Sequence, residues 1–176
     1  MRLFIALDIP EDIKEYMVKI QKKIDNNLVK IKFVNKNQMH LTLKFLGEVQ
    51  PDNIEIIKEE LKKIKFLPFT SYLDSIDVFP NENYIMVVWI GLKPEEEIIK
   101  IQQNIDENLK KLFKKDKNFK PHLTLARVKF VENKNKFTGK LKEIKVENKK
   151  FKVNNFKLIK SILTRQGPVY EDLEIF

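Results

Sequence analysis

Hydrophobic and polar residues along the chain follow two periods, the alternation of a half-buried strand and the spacing of about 3.6 residues of an amphipathic helix. The first half is predicted to contain strands at 3–7, 31–34, 39–47 and 69–79 and helices at 11–27 and from 52 to about 64. Proline beside acidic residues marks the start of both helices. This half therefore alternates strands with amphipathic helices.

The same order of elements returns after a turn at 80–83. The second half is predicted to contain strands at 84–92 and 122–130, a helix from 94 to about 113, a polar and weakly helical stretch at 131–146, a β-like stretch at 151–163 and a final strand. This repetition favours an α+β fold with duplicated strand-helix-strand lobes, antiparallel sheets around a central cleft and helices on the outer faces. No Gly/Ser-rich linker separates the halves, so we predict a single bilobal domain at 1–176 with repeat halves at about 1–80 and 81–176.

The composition narrows the class of protein. The chain has no cysteine, which excludes disulfides and thiolate metal sites. No apolar run reaches the ~20 residues of a membrane helix, and the N-terminal run is too short for a signal peptide. A soluble, cytoplasmic protein without a membrane partner is therefore expected.

The charge of the chain points to an anionic partner. A net charge of +9 favours a polyanion, nucleic acid before anionic membrane. Of the 34 basic residues only Arg2, Arg127 and Arg165 are arginine. In a chain that otherwise uses lysine, an arginine marks a position where a planar, bidentate donor is useful.

The tetrapeptide His-Leu-Thr-Leu occurs at 40–43 and at 122–125, and it contains both histidines of the chain. Side chains alternate along a strand, so each histidine shares a face with its threonine while the leucines face the other way. A histidine and a threonine in this arrangement lie about 7 Å apart, within reach of one phosphate-sized group. If a pseudo-twofold axis relates the halves, the two pairs face each other across a cleft.

Two histidines on opposite sides of a phosphodiester can hydrolyse it without a metal or another cofactor. One imidazole deprotonates the attacking water and the other protonates the departing oxygen, and a free pKa of about 6.5 suits both roles. A bell-shaped pH dependence with limbs on either side of that pKa is expected. A packing role would explain the leucines better than the histidines, so the repeated motif favours catalysis.

With these motifs the chain resembles the two-histidine phosphoesterases, and within them the RNA 2′,3′-cyclic phosphodiesterases, long called 2′-5′ RNA ligases. The resemblance runs from MRLFIALDIPEDIKE through HLTLKFLGEV and FKPHLTLARV to GPVYEDLEIF. It implies a bilobal fold and metal-independent hydrolysis of a terminal cyclic phosphate to a 2′-phosphomonoester. It also implies His40 as proton donor, His122 as proton acceptor, and Thr42 and Thr124 as phosphate-binding residues.

The resemblance further implies that Arg127 binds phosphate and that Phe45 stacks on a base. Each lies five residues after its histidine, and strict alternation would place both on the leucine face. A bulge or a strand end is therefore required in each strand. Gly47 fits such an end after Phe45, but nothing comparable follows Arg127.

The expected partner is RNA with 2′,3′-cyclic phosphate ends, including ends derived from tRNA, and the chain is expected to be a monomer. One alternative is a sister activity on small cyclic phosphates such as ADP-ribose cyclic phosphate. Another is a non-catalytic module that only holds RNA ends. An alcohol in place of water would give reverse ligation, a reaction that the same chemistry allows.

Overall fold

A computed structural model describes residues 1–165 and 167–176, in which strands and helices alternate along the chain. The strands are β1 (Arg2–Leu7), β2 (Val29–Phe33), β3 (Leu41–Glu48), β4 (Phe69–Asn81), β5 (Tyr84–Lys93), β6 (His122–Val131), β7 (Lys150–Val153), β8 (Lys157–Thr164) and β9 (Gly167–Ile175). The α-helices are α1 (Glu11–Gln21), α2 (Asp52–Lys62), α3 (Glu95–Asn108) and α4 (Lys134–Glu143). No helix in the described ranges is long and apolar enough to cross a membrane.

The strands form two antiparallel sheets. One has the order β3-β1-β8-β9 and the other the order β2-β6-β5-β4-β7. The two motif strands, β3 and β6, thus lie in different sheets. These sheets and helices confirm the predicted α+β fold class. Each sheet combines strands from early and late parts of the chain, and the division into repeat halves near residue 80 remains a prediction.

The leucines of both motifs belong to the main hydrophobic core. Leu41, Leu43, Leu123 and Leu125 are each at most 1% exposed. Full burial of one such side chain contributes about 1.5–3 kcal/mol, which is enough to fix the phase of each strand. Isoleucines and leucines of α1, α2 and α3 are buried in the same core.

The opposite face of the first sheet carries a smaller cluster. Phe4, Ala6 and Ile159 form it, with Tyr170 packed against them. Leu3 and its alternate neighbours in β1 pack into the main core instead. The two faces of β1 are thus distinct, and the face of Phe4 is the one that reaches His40 (below).

Two predicted helices end earlier than expected. Helix α1 ends at Gln21 instead of near 27, because Asp25 caps a separate 3-10 turn by accepting a hydrogen bond from the backbone N–H of Asn27 at 2.9 Å. Helix α3 ends at Asn108 instead of near 113. Helix ends depend on local capping, which apolar spacing does not encode.

Two other stretches differ more from their predictions. The polar stretch at 131–146 contains the helix α4, whose N-cap residue Asn133 accepts from the N–H of Lys136 at 2.9 Å. Phe137 and Leu141, four residues apart, bury its one apolar stripe. The β-like stretch at 151–163 is not one strand but two, β7 and β8, which join different sheets.

Candidate active site

The two histidines lie at corresponding ends of the two motif strands, and the surface between them is the candidate cleft. His40 directly precedes β3, and His122 is the first residue of β6. A positive charge on His122 would lower the pKa of His40, so the rings are within electrostatic reach of each other. Arg127 of β6 likewise acts on Tyr170, whose ring lies 5.2 Å from that of His40. The structure therefore brings the two motif copies together.

Aromatic rings surround His40. The ring centroid of Phe4 lies 4.8 Å from that of His40, and Tyr170 meets the imidazole edge-on. Burial among these rings lowers the pKa of His40 to about 4, against the opposing effect of a hydrogen bond to the backbone of Gln38. The ring is therefore neutral at pH 7. Its Nε2 lies 3.0 Å from the hydroxyl oxygen of Thr42.

His122 also lies among aromatic rings. Its ring centroid lies 4.9 Å from that of Phe79 and 5.9 Å from that of Trp89. Burial lowers the pKa of His122, a hydrogen bond to the backbone of Lys120 opposes this, and the charge of Arg127 lowers it further. Nδ1 donates that bond at 2.7 Å, because a carbonyl oxygen can only accept. The neutral ring thus carries its proton on Nδ1, and Nε2 is an acceptor.

Both motif strands contain a β-bulge at the same distance from the histidine. The pairing of β3 with β1 skips Leu43, and the pairing of β6 with β5 skips Leu125. A bulge inserts one residue and reverses the faces of the side chains that follow. Phe45, 66% exposed, and Arg127, also exposed, therefore leave the leucine face for the histidine face.

These bulges resolve the conflict between strand alternation and the expected roles of Phe45 and Arg127. One of the two devices foreseen, a bulge, is present in both strands, while neither strand ends at this point. Gly47, foreseen as a strand end, lies inside β3 with a φ of 71°, beside a second irregularity of the same pairing. Thr124, like Thr42, is half-buried on the histidine face.

The bulge of β3 also buries a lysine. Lys44 is 2% exposed, forms an ion pair with Asp106 of α3, and donates to the carbonyl of Lys114 at 2.8 Å. The carboxylate of Asp106 also accepts from the amide of Gln102 at 2.8 Å. Lys44 therefore ties β3 to α3 and to the segment that leads into β6. The corresponding residue of β6 is Ala126, which is buried without a charge.

Sequence reasoning missed the four aromatic residues around the histidines, which are Phe4, Phe79, Trp89 and Tyr170. Only Phe4 had a signal, because it alternates with the core leucines of the first apolar run. The others reach the site through strand pairings that no local pattern specifies. Within the described ranges, no group of three or more His, Cys, Asp or Glu residues is placed to hold a metal ion.

Comparison with known proteins is consistent with this geometry. The family model described as LigT like Phosphoesterase matches residues 7–89 and again residues 90–170. The RNA 2′,3′-cyclic phosphodiesterase of Methanocaldococcus jannaschii is 43% identical over 174 residues, which cover 97% of each chain. The protein of the same name from Archaeoglobus fulgidus is 39% identical over 180 residues, covering 100% of this chain and 99% of its own. The crystal structure of TT0787 of Thermus thermophilus superposes with a TM-score of 0.82, at 29% identity, over 100% of this chain and 97% of that one.

Proposed function

The chain belongs to the LigT-like phosphoesterases, and we propose that its cleft hydrolyses the 2′,3′-cyclic phosphate at the 3′ end of RNA to a 2′-phosphomonoester. The observation that supports this most directly is that His40 and His122, at the starts of β3 and β6, lie within electrostatic reach of each other. A relative that is 43% identical over nearly the whole chain is named RNA 2′,3′-cyclic phosphodiesterase.

In the proposed reaction His122 is the general base. Its Nδ1 proton is engaged by the carbonyl of Lys120, so the unprotonated Nε2 can accept a proton from water. The water oxygen then forms a bond to phosphorus. The lowered pKa of His122 keeps the ring neutral at pH 7, which is the form that a base requires.

His40 is the proposed general acid. It protonates the 3′ oxygen as the bond from phosphorus to that oxygen breaks, and the phosphate stays on the 2′ oxygen. Because the pKa of His40 is about 4, the ring acquires its proton only when the substrate is bound. An anionic phosphate within a few ångströms favours the imidazolium form and raises that pKa.

The remaining predicted residues hold the substrate in this proposal. Thr42 lies at the Nε2 of His40, so an oxygen of the phosphate bound there meets both groups. Thr124 donates to phosphate from the opposite wall, and Arg127 balances the negative charge that builds up on it. Phe45, exposed on the same face as His40, stacks on the terminal base.

Finer properties of the function remain predictions. They are a tRNA-derived substrate, a monomeric state and a cytoplasmic location. Reverse ligation follows the same path with a 5′-hydroxyl in the place of water, because His122 can deprotonate either oxygen. None of the proposed steps uses a metal or another cofactor.

The proposed reaction is tested on RNA oligonucleotides and mononucleotides that end in a 2′,3′-cyclic phosphate, with 3′-phosphate ends as the control. We expect conversion of cyclic ends to 2′-phosphates, resolved from 3′-phosphates by chromatography. RNA binding without turnover would select a non-catalytic end-binding module. Turnover of ADP-ribose cyclic phosphate but not of RNA would select the small-molecule activity.

A chelator separates this mechanism from metal catalysis. Activity in EDTA should equal activity without it, since the two histidines supply both proton transfers. Loss of activity in EDTA, restored by an added divalent metal, would contradict the mechanism. A 3′-phosphate product would instead reverse the roles of acid and base.

A further inference from the structure

Within the part of the chain that the structure describes, the three arginines lack carboxylate partners, although many lysines have them. Among residues 1–165 and 167–176, every ion pair has a lysine or the N-terminal ammonium as its cation. Arginine is the better residue for bidentate pairing with a carboxylate, so this distribution is the reverse of the usual preference. The guanidinium groups of this chain are therefore available to an external anion.

Arg2 lies on the cleft face of β1. Leu3 packs into the main core, whereas Phe4 packs with Tyr170 on the opposite face. Alternation places Arg2 on the face of Phe4, where its side chain is exposed. The electrostatics agree, since burial raises the pKa of Tyr170 while Arg127 and Arg2 both act to lower it. Both arginines thus reach the wall that carries His40.

The pairing of β1 with β3 places a hydroxyl, two aromatic rings and a guanidinium one after another along the sheet. Along it, Ala6 is opposite Thr42, Phe4 is opposite Phe45, and Arg2 is opposite Glu48. A proposed phosphate ligand, an aromatic pair and a cation therefore follow one another, with alternate residues of β1 about 7 Å apart. Glu48 does not neutralise Arg2, because its carboxylate pairs with the N-terminal ammonium at 3.2 Å.

We propose that Arg2 binds the phosphodiester on the 5′ side of the terminal nucleotide and thereby favours polynucleotide ends over cyclic mononucleotides. This inference rests on the proposed function, which places the cyclic phosphate at Thr42 and the terminal base on Phe45. The next phosphate along the strand then lies beyond the aromatic pair, where Arg2 is. A guanidinium can donate two parallel hydrogen bonds to the oxygens of that phosphate.

The test compares kcat/KM on three substrates. They are a nucleoside 2′,3′-cyclic phosphate, the same compound with a 5′-phosphate, and a dinucleotide that ends in the same cyclic nucleotide. The wild-type protein should prefer the last two. Arg2→Gln should reduce that preference about tenfold, the effect of one charge-assisted contact. It should also reduce the salt slope for the dinucleotide by about 1, and Arg2→Lys should retain part of the preference.

Arg165→Gln is the matched control, because Arg165 is exposed, follows β8 at its end, and also lacks a carboxylate partner among the described residues. It should keep the wild-type preference. Each preference is a ratio measured on one protein sample, so partial misfolding cancels. An unchanged preference in Arg2→Gln, an equal decline in both variants, or no preference in the wild type would overturn the inference. A wild-type protein that hydrolysed none of the three substrates would overturn the proposed function instead.

Discussion

His40 of the β3 wall lies against Phe4 and Tyr170, whereas His122 of the β6 wall lies against Phe79 and Trp89. Burial lowers the pKa of both rings, to about 4 for His40. Positive charge lowers the pKa further at both, from Lys14 and His122 at His40 and from Arg127 at His122. The identical tetrapeptides set the strand phase, but residues outside them set the protonation behaviour of each histidine.

The two bulges likewise share their backbone geometry and differ in a side chain. In both strands the bulge places the fifth residue after the histidine on the cleft face, so the backbone feature is the same. The buried residue that follows the bulged leucine is Lys44 in β3 and Ala126 in β6. A bulge at this point therefore does not require a charge. The ion pair of Lys44 with Asp106 is an addition that connects β3 to α3.

The largest effect is expected from removing either histidine. His40→Ala and His122→Ala should each lower turnover of a cyclic-phosphate end about 10²–10⁴-fold, because each removes one positioned proton-transfer group. The double variant should be little worse than either single one, since the two groups act as a unit. Unfolding curves should show that both variants fold, because the leucines carry the packing. Lys65→Gln, an exposed change after α2, is the control, and near-wild-type turnover in either histidine variant would end the paired mechanism.

The difference between the bulges predicts a large effect on stability. Lys44→Met leaves the carboxylate of Asp106 buried without its cation and should cost about 3–5 kcal/mol in the free energy of unfolding. Lys44→Met combined with Asp106→Leu should recover much of that loss, because an apolar pair can replace a buried ion pair. Denaturant titrations of the three proteins measure both values. If the single variant were as stable as the wild type, the ion pair would not anchor β3.

The fold class and the faces of the motif residues could be predicted because they depend on the local spacing of hydrophobic residues. Alternation in HLTL places the leucines in the core and the histidines on the other face, as the structure shows. The second bulge had no local signal, since Leu125 and Ala126 are ordinary strand residues. It depends on the register of β6 between β5 and β2. Arg127 therefore could be placed on the cleft face only once the sheet was known.

Removing the side chains that the bulges turn should separate base binding from phosphate binding. Phe45→Ala should raise KM for nucleotides, since stacking contributes about 1–3 kcal/mol per base, with little effect on a cyclic phosphate that lacks a base. Arg127→Gln should lower turnover for both kinds of substrate, because it acts on the phosphate. Steady-state kinetics on the two substrates distinguish them, with Leu67→Ala as an exposed apolar control. The same pattern in both variants would show that the walls do not divide these tasks.

The shared lowering of the two pKa values predicts an acid-shifted pH profile. Because burial lowers the pKa of both rings, the bell for kcat/KM of the free protein should have both limbs below the ordinary imidazole pKa of about 6.5, and not on either side of it as the sequence alone predicts. The bell for kcat should lie at higher pH, since bound phosphate stabilises the imidazolium form. Initial rates across pH with a cyclic mononucleotide measure both curves. A kcat/KM optimum above pH 7 would contradict the lowering of the two histidine pKa values by burial.

The smallest expected effect is a difference between the two histidines in how much each makes the free energy of unfolding depend on pH. The pKa of His40 is about 4 in the fold and about 6.5 unfolded, so between these values the unfolded chain binds more protons. The free energy of unfolding should therefore fall as pH decreases from 6.5 towards 4. His40→Gln removes this contribution, and between pH 7 and pH 5 it should lose less stability than the wild type, by on the order of 1 kcal/mol. His122→Gln should reduce the loss by less, because burial lowers the pKa of His122 less than that of His40. Urea titrations at the two pH values measure the difference, and equal losses in wild type and His40→Gln would show that the aromatic wall does not hold His40 neutral.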